Sequence, residues 1–334
     1  MVEEYKEVVI LGGGLAGSIM QVLLGKERAC IIEQAPGFWQ HKALFRFKVP
    51  ELGLLLGLDL KEIVVYKGVY YRGKLYNKSN ILFSNLYSLK VTDSLLNRSI
   101  MDLEAVTRWV FSKDSPGNFM SNQDFLAGEV TALGRGWVDY RINDEVLKEQ
   151  KRRLLCRIIV STLPMDWVVN QGLFPAPIEG GLDFWSAPVW VYRGMFRSGF
   201  CDVYQTIYFP DSEFPVYRAS IDPAGIIIES IRECSDQECL EVFVAFGLQG
   251  ITLRSAKLEL FIQKRGKIRP LQDEIRRSIL YKLTNDFDIY SLGRFALWKN
   301  LKSDEILKDA VKIKKYIDSP ILSQKYLERK EVIL

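Results

Sequence analysis

The sequence predicts an α/β protein in two parts: a parallel sheet with helices, and a second domain of antiparallel sheet with helices. Three observations predict it. The segment Val8-Val9-Ile10-Leu11-Gly12-Gly13-Gly14-Leu15-Ala16-Gly17 reads as a buried strand, a glycine turn and a helix start. From 185 to 265, aromatic and β-branched residues alternate, as in Val189-Trp190-Val191-Tyr192, Thr206-Ile207-Tyr208-Phe209, Ile226-Ile227-Ile228 and Val242-Phe243-Val244, which is the pattern of an antiparallel sheet. Residues 271–284 and 303–317 carry helical spacing and close the chain.

The first segment has a chemical reading. Gly12 allows a tight turn off the strand, and Gly14 lets backbone N–H groups approach a pyrophosphate. Gly17 lets the helix lie close on the sheet. The unpaired N–H groups at Leu15 and Ala16 then meet an anion. Helix 15–25 presents Ile19, Met20, Leu23 and Leu24 as an apolar stripe, with Gly25 as its stop. A second apolar run, Ala29-Cys30-Ile31-Ile32, ends in Glu33 and Gln34, where a carboxylate can accept hydrogen bonds from a ribose diol. Strand, turn, helix, strand and acid in this order predict a Rossmann-like dinucleotide site. An acid at Glu33 suits an unphosphorylated ribose and disfavours NADP.

The remaining elements follow in order. Residues 34–40, with Pro36 and Gly37, read as a loop. Residues 50–75 mix a short helix with strand-like Ile63-Val64-Val65-Tyr66 and Val69-Tyr70-Tyr71. Residues 102–113 read as a helix. Residues 126–140 read as strand, turn at Gly134-Arg135-Gly136, and strand; Arg153 to Thr162 reads as a buried strand.

Composition narrows the class. The 334 residues are 48% hydrophobic and 26% charged, with a formal net charge of +4, ordinary for a globular enzyme large enough to form two lobes. No apolar run reaches about 18 residues, so no membrane span is expected. The acidic N-terminus enters a strand at once, which argues against a signal peptide. Five cysteines without a pairing pattern fit a reducing compartment, and the cytoplasm is the expected location. Cys234 and Cys239 are read as structural thiols rather than a redox pair. A single histidine, His41, excludes His-based triads and most zinc sites, and no metal site is predicted. His41 itself is read as a surface residue.

Three further segments carry a family resemblance. Ile158-Ile159-Val160-Ser161-Thr162-Leu163-Pro164 resembles the strand that returns the chain to the nucleotide domain in flavin amine oxidases. Gly128-Glu129-Val130-Thr131 resembles the strand that brackets the adenine in that superfamily. Ile289-Tyr290-Ser291-Leu292-Gly293-Arg294-Phe295-Ala296-Leu297-Trp298, before a helix at Ser303-Asp304-Glu305-Ile306, looks like the C-terminal flavin motif of UDP-galactopyranose mutases and mutase-like flavoproteins. Tyr208-Phe209-Pro210-Asp211 with Pro215-Val216-Tyr217-Arg218 matches the same group. The resemblance implies bound FAD and a discontinuous FAD-binding domain from residues 1–45, 120–170 and 271–334. It leaves 46–119 and 171–270 as the substrate domain. Val130, Thr162, Gly293, Arg294 and the helix start at Asp304, Glu305 and Ile306 become cofactor contacts, with Arg294 on a phosphate or the flavin's polar edge. Leu44 and Phe45 are expected to line the isoalloxazine, and Arg46 to stabilise charge on reduced flavin.

The departures bear on chemistry. Mutases of this type carry a histidine- and glycine-rich segment beneath the flavin, whereas this chain has His41-Lys42-Ala43-Leu44-Phe45-Arg46-Phe47-Lys48. The Gly-Gly that usually follows the ribose acid is also missing, which weighs against UDP-sugar ring contraction. The leading expectation is an FAD-dependent, amine oxidase-like oxidoreductase acting on an amine or amino-acid-like substrate, with hydride transfer to flavin N5 and reoxidation by dioxygen. A neutral amine must give up the hydride, so a lysine is sought as base; Lys267 and Lys90 are the candidates. Trp185, Trp190, Tyr192, Tyr208 and Tyr217 are read mainly as sheet core. Two alternatives are a redox-neutral UDP-sugar enzyme and a flavoenzyme acting on an amino-acid adduct of a nucleic-acid base. The latter draws on Lys151-Arg152-Arg153, Lys264-Arg265-Gly266-Lys267 and Arg276-Arg277.

Overall fold

A computed structural model describes residues 4–35, 43–95, 105–111, 124–144, 148–174, 182–195, 203–250 and 256–319. In chain order the elements begin with β1 (Glu4–Leu11), α1 (Leu15–Leu24), β2 (Ala29–Glu33), α2 (Glu51–Leu56), β3 (Leu60–Tyr71), β4 (Lys74–Tyr76) and α3 (Ile81–Thr92). There follow β5 (Val106–Phe111), β6 (Phe125–Ala127), β7 (Glu129–Gly134), β8 (Trp137–Asp144), β9 (Lys148–Ser161) and α4 (Met165–Val169). The chain continues through β10 (Ser186–Met195), β11 (Tyr204–Tyr208), β12 (Val216–Asp222), β13 (Gly225–Ser230) and α5 (Asp236–Ala245). It closes with β14 (Glu259–Ile268), α6 (Asp273–Phe287), β15 (Ile289–Ser291) and α7 (Ser303–Ile317).

The first sheet runs β6-β2-β1-β9-β8-β7, with β15 added to β9. β1 pairs in parallel with β2 and β9, and β6 and β15 extend the parallel part. Both faces of the second half of β1 are buried, which is why residues 8–11 form a continuous apolar run rather than an alternation. Val8 and Ile10 face Ile19, Met20, Ala310 and Ile313 of α1 and α7. Val9 and Leu11 face the other way, onto a layer that includes Val138, Met165, Ile279 and Trp298.

The second sheet runs β14-β10-β13-β12-β11-β3-β4, with β5 on β3. It is antiparallel except for the parallel pair β11 and β3. One face packs on α5 through Ile207, Ile226, Ile228, Val242 and Phe243. The opposite face packs on α3 through Phe83, Tyr87 and Val91, together with Val69, Val191 and Tyr217. This second face also receives chain from the first sheet's side, and it carries the chemistry described below.

Two sequence expectations are corrected. The described part of 102–113 is not helical: Val106–Phe111 is a strand paired antiparallel with β3, from Leu60↔Phe111 to Val65↔Val106. An available sheet edge outweighs local helix propensity there, and Val106 and Val110 pack on Ile63, Val65 and Tyr204. Val242-Phe243-Val244 lies in α5 rather than in a strand. The signal was a capping box: Ser235 accepts from the Glu238 N–H, and Glu238 accepts from the Ser235 N–H. Cys239, Val242 and Phe243 then form a buried stripe, while Val244 is 46% exposed. Pro36, Gly37, His41 and Lys42 lie outside the described residues.

The helical register of α5 is checked by two truncations. Phe243→Ala is expected to cost about 3–5 kcal/mol in urea denaturation, and Val244→Ala no more than about 0.5 kcal/mol. Similar costs at both positions would count against it.

Candidate functional site

The glycine turn is built from contacts that no side chain fits. Gly12 has φ +94° and donates its N–H to the Ile32 carbonyl. A Cβ on Gly12 would lie 2.4 Å from Thr162 Oγ1, and one on Gly17 would lie 2.0 Å from the Gly12 carbonyl oxygen. Thr162 clamps the turn from β9, donating to the Leu11 carbonyl at 2.7 Å. Gly14 differs: a Cβ there would meet nothing within 4 Å. Its side of the turn is open, and no side chain caps α1. The first N–H groups of α1, at Leu15 and Ala16, therefore lack intrahelical partners by geometry and lie at the positive end of the helix dipole.

Three other segments converge on this opening. Glu33 Oε2 accepts from the Gly13 N–H at 2.6 Å and Oε1 from the Ala35 N–H at 3.1 Å. An ionised carboxylate has about four acceptor sites, so Glu33 retains capacity for a diol. The Gly128 N–H donates to the Glu33 carbonyl, which ties the start of β7 to the end of β2, with Val130 packed on the adjoining core; Gln34 next to Glu33 is exposed. From the far end of the chain, Leu292 donates to the Ser161 carbonyl, and a Cβ on Gly293 (φ +94°) would lie 3.0 Å from Ala16 Cβ. Gly12, Gly14, Leu15, Ala16, Gly17, Glu33, Val130, Thr162 and Gly293 thus lie around one strand-end crevice.

The α7 start is less uniform. Asp304 keeps Oδ1 buried without a hydrogen-bond partner, and its Oδ2 lies 3.9 Å from Lys48 Nζ. Glu305 is occupied as a helix cap, accepting from the Lys302 N–H at 2.8 Å. Ile306 is buried in the core and its N–H is bonded to the Lys302 carbonyl. Ile306 thus presents no polar group, and Glu305 has one carboxylate oxygen committed to the cap.

Beyond the crevice, residues 43–46 cross to the second sheet. Leu44 and Tyr208 each pack against the buried cluster that includes Tyr217. Phe45 turns toward an aromatic cluster with Phe47 and Phe111, at centroid distances of 4.8 and 6.4 Å. Arg46 donates from Nη1 to Thr206 Oγ1 at 2.9 Å, and its Nη2 is buried with no partner. Burial lowers the Arg46 pKa to about 10, so it stays cationic at neutral pH.

The sheet face opposite holds a charged cluster. Arg218 forms a two-pronged ion pair with Glu229, Nη2 to Oε1 at 2.8 Å, and the Tyr217 hydroxyl donates to the same carboxylate at 3.0 Å. Burial opposes ionisation of Glu229, but the Arg218 guanidinium overcomes it and holds the carboxyl below its ordinary range. Lys267 Nζ sits over the Tyr217 ring, 4.1 Å from its centroid. Burial lowers the Lys267 pKa to about 7, with Arg218 adding to the effect. Arg294 reaches from the loop after β15 and donates to the Gly266 and Arg265 carbonyls at 2.6 and 3.3 Å. Its Nε is buried without a partner.

The structure separates the two candidate lysines. Lys90 donates to the carbonyls of Phe209, Asp211 and Val216 at 2.6–2.7 Å, which is a strut between α3 and the sheet. Lys267 has no carboxylate within ion-pair distance among the described residues. Sequence reasoning missed Glu229 and the pairing of Arg218. The signal was an acid at the end of Ile226-Ile227-Ile228, in register with the face that carries Ile227. The basic clusters are largely consumed internally: Arg153 pairs with Asp139, Arg265 with Asp166 and Arg276 with Asp273.

No protein-family model and no curated protein sequence matches the chain. Solved structures do. Reduced UDP-galactopyranose mutase aligns with TM-score 0.62 at 15% identity, covering 94% of this chain and 93% of that one. The chain therefore has the Rossmann-type α/β fold of mutase-like flavoproteins. A fatty acid isomerase from P. acnes aligns with TM-score 0.56 at 10% identity, covering 94% and 99%. The myxobacterial chondrochloren halogenase, a variant of FAD-dependent halogenases, aligns with TM-score 0.53 at 12% identity, covering 98% and 78%. At such identities the likeness is one of fold, and the chemistry rests on this chain's own residues.

Two outcomes follow from the buried charges. Glu229→Gln leaves Arg218 unpaired and is expected to cost about 3–5 kcal/mol at neutral pH. Because the folded carboxyl titrates below its ordinary value, the wild-type advantage holds above pH 4.5 and disappears as pH falls through the folded value. For Lys267 the sign reverses. Between pH 10.5 and about 7 the unfolded chain binds the proton and the folded chain does not, so stability falls as pH drops through that window. Lys267→Met should therefore raise Tm most at and below pH 7, with the gain vanishing toward pH 10.5. A pH-independent Tm difference in scanning calorimetry would contradict this assignment.

Proposed function

We propose that the protein is an FAD-dependent oxidoreductase that oxidises a C–N bond of a small amine or amino-acid-like molecule, with dioxygen as the terminal acceptor. The observation that supports it most is the open side of the turn at Gly14, where a Cβ would meet nothing within 4 Å, beside uncapped helix N–H groups, an acid with spare acceptor capacity, and the Gly293 loop. The residues present fit an adenine dinucleotide: Gly12, Gly14 and Gly17 give backbone access, and Leu15 and Ala16 offer N–H donors to its diphosphate. Glu33 would accept from its ribose diol, and Asp304 has an unmatched acceptor oxygen. On this reading, residues 1–45, 120–170 and 271–334 form the cofactor unit, and the second sheet forms the substrate unit.

Bound FAD would supply the hydride acceptor and the route of electrons to dioxygen. The protein's part is proton management and positioning. An amine donates hydride only as the neutral molecule, and Lys267, neutral above about pH 7, is suited to take the proton from a substrate ammonium group. Arg46 stays cationic at neutral pH and would offset negative charge gained on reduction. Tyr208, Tyr217 and Leu44 provide an apolar wall that limits water.

The test has two parts. The purified protein is expected to be yellow and to release FAD identified by mass, and Gly12→Val to lose it. Anaerobic bleaching by a panel of amines should then accelerate as pH rises through about 7, and Lys267→Met should slow it by about 10²–10⁴ and flatten the profile. Colourless protein that takes up no added FAD would end the proposal.

A further inference from the structure

Cys234 and Cys239 read in the sequence as structural thiols, and the fold gives them a different setting. The capping box of α5 makes Ser235 the N-cap and Glu238 the third helical residue. Cys234 therefore precedes the cap, and Cys239 is the fourth residue of the helix. Side chains at these two positions meet over the first turn, as an apolar pair commonly does there. Here both are cysteines. Cys239 belongs to the buried cluster beneath α5, and Cys234 packs against that cluster. Cys239 is 3% exposed, whereas Cys234 is half-buried and open to a small solute.

The surrounding contacts hold the pair in place. The Cys234 N–H donates to the Tyr192 hydroxyl at 2.7 Å, which fixes the residue to β10. Glu238 accepts from the Ser235 N–H and pairs with Arg232, Nη2 to Oε1 at 2.6 Å, so the carboxylate of the cap is matched by a cation. The Cys239 thiol, as a hydrogen-bond partner, holds Cys234 below its ordinary value against the effect of burial, with Ser230 and Arg232 adding to the lowering. Cys239 is pushed well up, and the largest cause is the same partnership with Cys234. One thiol is thus activated and reachable while its neighbour keeps its proton. Cys30 and Cys156 differ: both lie in the core of the first sheet, and burial pushes each up to about 12.

We propose that Cys234 and Cys239 form a peroxide-reactive dithiol that closes reversibly to a disulfide across the first turn of α5. Cys234 supplies the attacking sulfur. Its S–O bond forms as the peroxide O–O bond breaks, giving a sulfenic acid and one water. That step removes the thiolate whose presence raised Cys239. The Cys239 sulfur then attacks the sulfenic sulfur: the S–S bond forms, the S–O bond breaks, and hydroxide leaves with the Cys239 proton as a second water. Two thiols and one peroxide give one disulfide and two waters, and a dithiol reductant reverses the change by exchange. The bridge ties α5 to the loop after β13, the strand that carries Glu229. The inference is independent of the flavin reading, since peroxide from any source serves. An oxidase that passes electrons to dioxygen would release the same oxidant as its product.

The experiment uses the full chain, reduced with dithiothreitol, freed of it, and exposed to hydrogen peroxide before denaturation, alkylation and tryptic digestion. Both cysteines fall in one peptide, residues 233–254. Before peroxide that peptide should carry an alkyl group on each cysteine. Afterwards it should carry neither and lack two hydrogens, and dithiothreitol should restore it. The change should run at least about tenfold faster than oxidation of Cys30 or Cys156, following thiolate content and access. Cys239→Ser should leave a sulfenic acid at Cys234 that dimedone captures, and Cys234→Ser should leave Cys239 unreactive. The wild-type peptide decides the matter if either variant fails to fold. Both alkyl groups retained after Cys30 and Cys156 have begun to oxidise, or over-oxidation of Cys234 with Cys239 still alkylated, overturns the inference. The peptide reads the same way in yellow and colourless protein, so failure here leaves the flavin reading standing.

Discussion

The carbonyl of Gly12 and the α-carbon of Gly17 approach so closely that a Cβ on Gly17 would lie 2.0 Å from that oxygen. This contact brings the N-terminus of α1 down onto the end of β1, and the rest of the crevice is arranged around it. Thr162 can clamp the turn because β9 pairs with β1 up to Ser161. Gly293 can meet Ala16 because β15 continues the same sheet on β9. Parallel strands end together, so their loops share one edge, and a helix dipole there has no side-chain cap to satisfy it. Widening this junction by one methyl group would separate α1 from the strand ends that position Glu33 and Gly293.

The second sheet answers a different constraint. One face is closed by α5 through an apolar cluster, and the other receives α3 together with loops from the first sheet. Arg46 and Arg294 both arrive from those loops, and each fastens on the second sheet through a neutral partner: a hydroxyl for Arg46 and backbone carbonyls for Arg294. The positions of the guanidiniums are fixed without spending their charge. Arg218 differs, because Glu229 neutralises it and makes it part of the scaffold. The balance of scaffold and unmatched charge on one face is what gives this region chemical potential.

Much of this was legible from the chain. The glycine turn, the acid at Glu33 and the buried character of β1 and β9 follow from local rules: only glycine tolerates the close approaches, and only a strand buried on both faces is apolar throughout. Failures arose where local preference and tertiary context diverge. Val242-Phe243-Val244 has strand composition, but the cap at Ser235 and Glu238 starts a helix whose period buries two of the three. Residues 106–111 found the free edge of β3, a partner more than thirty residues earlier in the chain. Lys90 and Lys267 look alike in sequence, and nothing nearby distinguishes a lysine wrapped in three carbonyls from one set over a tyrosine ring.

The sequence by itself determined the glycine turn, its acid and the opening order of strand, helix and strand, because these depend on steric rules acting within some thirty residues. The tertiary structure alone decided which charges are paired. Arg46, Arg218, Glu229, Lys267 and Arg294 lie on five separate segments, and their meeting depends on how two sheets and their loops pack. Coulomb energy depends on distance and burial, and sequence spacing across two hundred residues carries neither.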